Sequence, residues 1–178
     1  AQQALDLRRA GQDVHGEAFA FNALGTVAYS QGQPQKALEY LTQARDLLRK
    51  TPDREGEANA LKDMGVMYSQ LGDKRKALEH AQAALPVLQE LGDRRGEASA
   101  LNNIGRAYDG LGERAKAIDS YSQALAIRRE LKDRQGEMTI LTNLGMTYEQ
   151  TGETKKAQAA FDQSLSLSRT LGNRFFEA

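Results

Sequence analysis

The chain has no cysteine in its 178 residues, which removes disulfides, thiolate catalysis and zinc–thiolate sites together. It also lacks an excess of either charge, since 24 lysines and arginines balance 24 aspartates and glutamates. No whole-chain field therefore draws it to nucleic acid or to an anionic membrane. No apolar run approaches the roughly 20 residues that cross a bilayer, and no signal peptide opens the chain. G-x-G-x-x-G, G-x-x-x-x-G-K-[ST] and G-x-S-x-G strings are all absent, so neither a cofactor nor a catalytic residue is expected. His15 and His80 have no second ligand at metal spacing, so no metal is expected either. Together these exclusions lead to the expectation of a cytoplasmic protein that is not an enzyme and has no membrane or nucleic-acid partner. The basic pairs Arg94-Arg95 and Arg128-Arg129, and Arg45 with Arg49-Lys50, lie near expected helix ends beside carboxylates. They read as helix-dipole and ion-pair residues.

What is present is a repeat of 40 residues. Gly-Glu recurs at Gly16-Glu17, Gly56-Glu57, Gly96-Glu97 and Gly136-Glu137, and Gly25, Gly65, Gly105 and Gly145 keep the same step. Ala37, Ala77, Ala117 and Ala157 do so as well. Copies therefore run 16–55, 56–95, 96–135 and 136–175. Residues 1–15 match the tail of a copy and 176–178 the start of another, so the chain is expected to be a segment of a longer array. A fixed period of this size implies stacked units, each burying its apolar face only against its neighbours.

The third copy shows how one unit is built. Ala98, Leu101, Ile104, Ala107 and Tyr108 follow helical spacing after Asp93 and before Leu111-Gly112. Asp93 is an N-cap and Gly112 suits the left-handed residue after the helix end. Ala117, Ile118, Tyr121, Ala124, Leu125 and Ile127 mark a second helix from about Arg114 to Leu131. Asp13, Asp53, Asp133 and Asn173 stand where Asp93 does, and the same capping role is expected of them. Gly105 and Ala117 are placed where the helices cross, with Tyr108 and Tyr121 filling the wider gaps beside them. Looser packing is expected at Ala28, Ala81 and Ser164, which depart from the pattern, and a kink is expected at Pro86.

Leu101-x-x-Ile104-Gly105-x-x-Tyr108, followed by Gly112, Ala117, Tyr121 and Ala124, resembles the tetratricopeptide repeat. The usual unit of about 34 residues is lengthened here by six, which adds up to ~9 Å of helix. This longer form is similar to the repeats of kinesin light chains, spindle-orientation adaptors and bacterial regulators. The resemblance implies an all-α, right-handed α-solenoid of antiparallel helical hairpins, opened by a second-type helix at about residues 2 to 11. It also implies a non-catalytic scaffold that binds a peptide segment of a partner protein in a concave groove lined by first helices. The groove residues it implies are Asn22, Asn59, Lys62, Asp63, Ser99, Asn102, Asn103, Arg106, Asp109, Thr139, Thr142, Asn143, Met146 and Glu149, with Phe19, Ala23, Thr26, Tyr29, Val66 and Ser69 beside them. Asparagine offers donor and acceptor together, which suits a peptide backbone.

The lysine and arginine clamp that some members use to hold a chaperone's C-terminal carboxylate is not matched here, so that ligand is not expected. Two alternatives are a sensor segment of a larger signalling protein or caspase-like protease, and a self-assembling spacer. Leu5, Leu7, Leu165, Leu167, Phe175 and Phe176 at the two ends invite end-to-end self-association.

Overall fold

The computed structural model describes residues 13–172. The expected helix at 2 to 11, the Asn173 cap, Leu5, Leu7, Phe175, Phe176 and the start of a further copy lie outside them. Among the described residues there are eight α-helices and no strand. They are α1 (Val14–Ser30), α2 (Pro34–Leu48), α3 (Arg54–Gln70), α4 (Lys74–Glu90), α5 (Arg94–Gly110), α6 (Arg114–Glu130), α7 (Arg134–Gln150) and α8 (Thr154–Thr170). Each odd-numbered helix pairs with the next as a hairpin. The chain divides into two compact units, Ala1–Gly92 and Asp93–Ala178, with two hairpins described in each.

The helix starts follow local chemistry. Asp13, Asp53, Asp93 and Asp133 each accept from the backbone N–H three residues on, at 2.7–2.9 Å, which satisfies one of the amides left open in a first turn. Asp73 does the same for α4 at 3.0 Å. Glu113, Glu153 and Gln33 hold the corresponding places before α6, α8 and α2 and make no such bond; a side chain one carbon longer does not close that short ring. At α2, Pro34 occupies the first turn, where its missing N–H costs nothing. Gly112 follows α5 with φ +81°, and Gly32, Gly72 and Gly152 repeat that conformation inside their hairpins. After the second helices of their hairpins, Gly92 and Gly172 also take positive φ, but Lys132 takes it too, at +54°.

In the first unit Ala18, Ala20, Phe21, Ala44, Leu48 and Ala60 form one buried cluster. Ala28, Ala37, Leu41, Met64 and Met67 form another. In the second unit Leu101, Ile104, Tyr121, Leu125, Ile140, Leu141 and Leu144 are buried in the same register. Three tyrosines recur with a lysine eight residues on: Lys76, Lys116 and Lys156 stand 5.2–5.4 Å from the ring centroids of Tyr68, Tyr108 and Tyr148, a favourable cation–π distance.

Several packing expectations change. Tyr121 does not fill a gap beside Gly105 but lies directly on it, because a Cβ at Gly105 would stand 2.6 Å from the Tyr121 ring. Gly145 is covered by Phe161 in the same way, at 2.5 Å. Where Ala81 replaces the aromatic, Gly65 meets backbone instead, with Ala77 O at 3.2 Å and Ala81 N at 3.5 Å from that Cβ position. Ser164 is not loosely held: its hydroxyl donates to Met138 O at 3.2 Å and lies 2.9 Å from the Thr142 hydroxyl. Pro86 lies on the exposed side of α4, within the helix that runs from Lys74 to Glu90.

Candidate functional site

First helices carry the candidate residues, and in the first unit these are α1 and α3. Phe19 is 64% exposed, while Asn22, Ala23, Asn59 and Lys62 are half-buried. Lys62 donates to Asn59 Oδ1 at 2.7 Å, so two of the expected contact residues are bound to each other. Asn22 Oδ1 is buried and accepts no hydrogen bond. Beside these residues a cavity of about 290 Å³ opens, lined by Gly25, Thr26, Tyr29, Leu41, Asp63, Val66 and Met67. Its wall is held across α1 and α3 by Gln70 Nε2, which donates to the Tyr29 hydroxyl at 3.1 Å. Asp63 is exposed at the surface, yet the groups packed around it raise its carboxyl above the usual range, and Lys62 pulls it part of the way back.

In the second unit the face belongs to α5 and α7, and several expected residues are already committed. Ser99 accepts from Arg128 on α6 at 2.7 Å and donates to Arg95 O. Asp109 accepts from the Arg114 guanidinium at 3.0 Å and from the Thr147 hydroxyl at 3.2 Å; the same guanidinium also reaches the Asp109 carbonyl. The Thr142 hydroxyl turns to Met138 O and Ser164, and exposed Thr139 donates to Gln135 O. These four hydroxyl and carboxylate groups make contacts within the array. Asn143 Nδ2 donates to Asn102 Oδ1 at 3.0 Å, a rung between the two first helices that leaves Asn102 Nδ2 and Asn143 Oδ1 to spare. Asn103 is half-buried. Arg106, Met146 and Glu149 lie on the same face, all three exposed.

Of the basic residues read as structural from the sequence, Arg45, Arg49, Arg94, Arg128 and Arg129 form ion pairs. Arg94 joins Glu97 and Glu130 at 2.5 and 2.6 Å, which holds its guanidinium firmly protonated. Arg54 and Glu90 repeat the longer of those pairs in the first unit. Arg49–Glu57 and Arg129–Glu137 form a second repeated rung. Arg128 is the deepest: its side chain is 12% exposed, it bonds Asp133 at 2.6 Å and covers Gly136. Asp133, accepting from the Gly136 amide and then facing Arg128, has its carboxyl held below the usual range. Burial, followed by Asp109, pushes the Tyr121 phenol far up. Among the described residues no His, Cys, Asp and Glu cluster could hold a metal. His80 instead donates to Lys76 O and packs, tilted by 45°, 4.8 Å from Tyr68. No described helix is long and apolar enough to cross a membrane.

Solved structures share this fold. An aspartyl phosphate phosphatase F from Bacillus subtilis superposes with a TM-score of 0.84 at 16% identity, over 91% of this chain and 43% of that one. A Rap protein complexed with competence and sporulation factor gives 0.81 at 20% identity, over 93% and 45%. A putative kinesin light chain from Podosopora anserina, with nearly identical TPR-like repeats, gives 0.74 at 17% identity, over 95% and 84%. The chain thus spans less than half the length of the first and second of these proteins, and at these identities the likeness is one of fold. No curated protein matches it in sequence. The sequence profile of the tetratricopeptide repeat matches residues 16–90, 77–130 and 96–170, the same residues that build the four described hairpins, and the chain therefore belongs to the tetratricopeptide repeat family.

Proposed function

We propose that this chain is a non-catalytic protein-interaction array whose first-helix faces bind a peptide segment of a partner protein. The observation that carries the reading is the unspent hydrogen-bonding capacity on those faces. Asn102 keeps donors and Asn143 an acceptor beyond their shared bond, Asn103 and Arg106 lie beside them on α5, and Asn22 Oδ1 is unpaired on α1. Many of the charged groups elsewhere are engaged in caps and ion pairs, a scaffold's use of charge. Fold similarity to a Rap protein complexed with competence and sporulation factor supports a peptide ligand by analogy. The name phosphatase on another neighbour belongs to that protein.

The test is selection of peptides from a displayed random library on the whole chain, followed by titration of a selected peptide. Asn103→Ala should weaken binding by about 1–3 kcal/mol, the loss for a hydrogen bond whose partner is left unpaired, with the far-UV circular dichroism unchanged. Lys155→Ala, at an exposed position on α8, should have no effect. Arg128→Ala is a poor control because it breaks the Asp133 and Ser99 contacts. Binding that survives Asn103→Ala and Arg106→Ala together, yet fails on α8 substitution, would move the site off the first helices.

A further inference from the structure

The two units treat one repeated rung differently. In the second unit the rung is closed, with the Asn143 amide donating to Asn102 Oδ1 at 3.0 Å. Counting back 80 residues, the same two positions in the first unit hold Asn22 and Asp63. A carboxylate stands where the donor amide should be, and Asn22 Oδ1 is left buried with no hydrogen bond. Thr26, one turn further along α1, donates its proton to Asn22 O at 3.1 Å and so offers only an acceptor to the cavity it lines. Two acceptors, the Thr26 hydroxyl oxygen and the charged Asp63 carboxylate, therefore line the cavity. The remaining walls, Leu41, Val66, Met67 and the Tyr29 ring, are apolar. The neighbouring cation, Lys62, is held by Asn59 Oδ1 at 2.7 Å.

We infer that the 290 Å³ cavity is a pocket for one arginine side chain of a partner peptide, whose guanidinium donates to the Asp63 carboxylate and to the Thr26 hydroxyl oxygen. The volume lies at the lower edge of pockets that enclose a whole small molecule, roughly 300 Å³, and suits a single long side chain. The methylene stem packs on Leu41, Val66 and Met67 while the head reaches the acceptors, the usual division of such a side chain. Arginine is favoured over lysine because its planar fork carries five donors and is more weakly hydrated, and it stacks on an aromatic face such as Tyr29. Groups packed around Asp63 already disfavour its charge, and a cation bound beside it relieves that cost. This inference rests on the peptide-binding reading and adds the residue type to be recognised.

The probe is N-acetyl-arginine methylamide, titrated into the whole chain and followed by the methyl resonances of Val66 and Met67. Its neutral isostere N-acetyl-citrulline methylamide and N-acetyl-lysine methylamide serve as comparisons. The expected result is saturable shifts at both residues, with citrulline binding about tenfold more weakly or worse, as loss of charge-assisted hydrogen bonds implies. Asp63→Asn should bring the arginine and citrulline compounds to the same affinity without loss of helicity. Equal binding of the two by the unaltered chain overturns the pocket, as does a preference unchanged by Asp63→Asn. Lysine binding as tightly as arginine overturns the guanidinium assignment. The peptide reading is judged separately: selected peptides that bind the first helices but lack arginine sink the pocket alone, and failure to select any peptide sinks the array reading while the arginine titration still decides the pocket.

Discussion

Asp63 and Asp133 sit on the same repeat lattice, but the fold moves their carboxyl groups in opposite directions. Asp63 is raised, chiefly by desolvation. Its protonated form is the one the folded state prefers, so its stabilising contribution is present below the ordinary aspartate value of 3.8 and is lost as pH rises through the folded value. Asp63→Asn should therefore raise the melting temperature near neutral pH, and the difference should close in acid, as thermal melts over a pH series will show. Asp133 is lowered, first by the Gly136 amide and then by Arg128. Its contribution is present above 3.8 and is lost as pH falls through its lower folded value. Asp133→Asn, which can still cap, should flatten that acid loss. A second test at this scale concerns Gly105, where a methyl group would press on the buried Tyr121 ring. Gly105→Ala should destabilise by about 1–3 kcal/mol in urea denaturation, the usual cost of overpacking.

At the scale of the helix, the ends decide more than the middles. Lys132 is a non-glycine residue in the left-handed region, at a place where Gly92 and Gly172 follow the second helices of other hairpins. Lys132→Gly should stabilise by up to about 1 kcal/mol, because the left-handed conformation costs an L-residue roughly 1–2 kcal/mol and glycine's larger unfolded freedom offsets part of the gain. The start of α6 is open to the converse change. Glu113 makes no capping bond, whereas Asp73 caps α4 at the equivalent place. Glu113→Asp should add roughly 0.5–1 kcal/mol as a new cap forms, read as a higher urea midpoint. These caps also show how far local sequence reaches. Asp13, Asp53, Asp93 and Asp133 are legible because the bond spans three residues and recurs in every copy. Asp73 escapes because its column reads Gln33, Asp73, Glu113, Glu153 and shows no repeated cap.

For the whole molecule, zero net charge is matched by local pairing. Arginines that would otherwise form a basic patch face Glu57, Glu90, Glu97, Glu130, Asp133 and Glu137. Counterion release needs cations free to meet phosphates, so mixing with single-stranded or duplex RNA should produce no complex whose affinity falls with salt. A steep salt dependence in a mobility-shift assay would contradict this. Exposed pairs of this kind contribute little each, and the stability of each unit rests instead on its buried apolar side chains.

The 40-residue register by itself determined the hairpins, their first and second helices, the buried faces and the family, since each of these depends on periodicity and on bonds made within a turn or two. It also placed the candidate residues on the first helices, because a helix face follows from spacing alone. Which of them remained available was decided only by tertiary structure. Ser99, Asp109 and Thr142 share the face of Asn103 and Arg106, yet Arg128, Arg114 and Ser164 reach them from neighbouring helices. The rung between Asn102 and Asn143 and its unclosed counterpart at Asn22 and Asp63 join residues 41 apart, one from each of two stacked hairpins. Periodicity within one helix specifies the direction of a side chain; the partner it meets depends on the packing distance and rotation of the next hairpin, which arise only when the units stack.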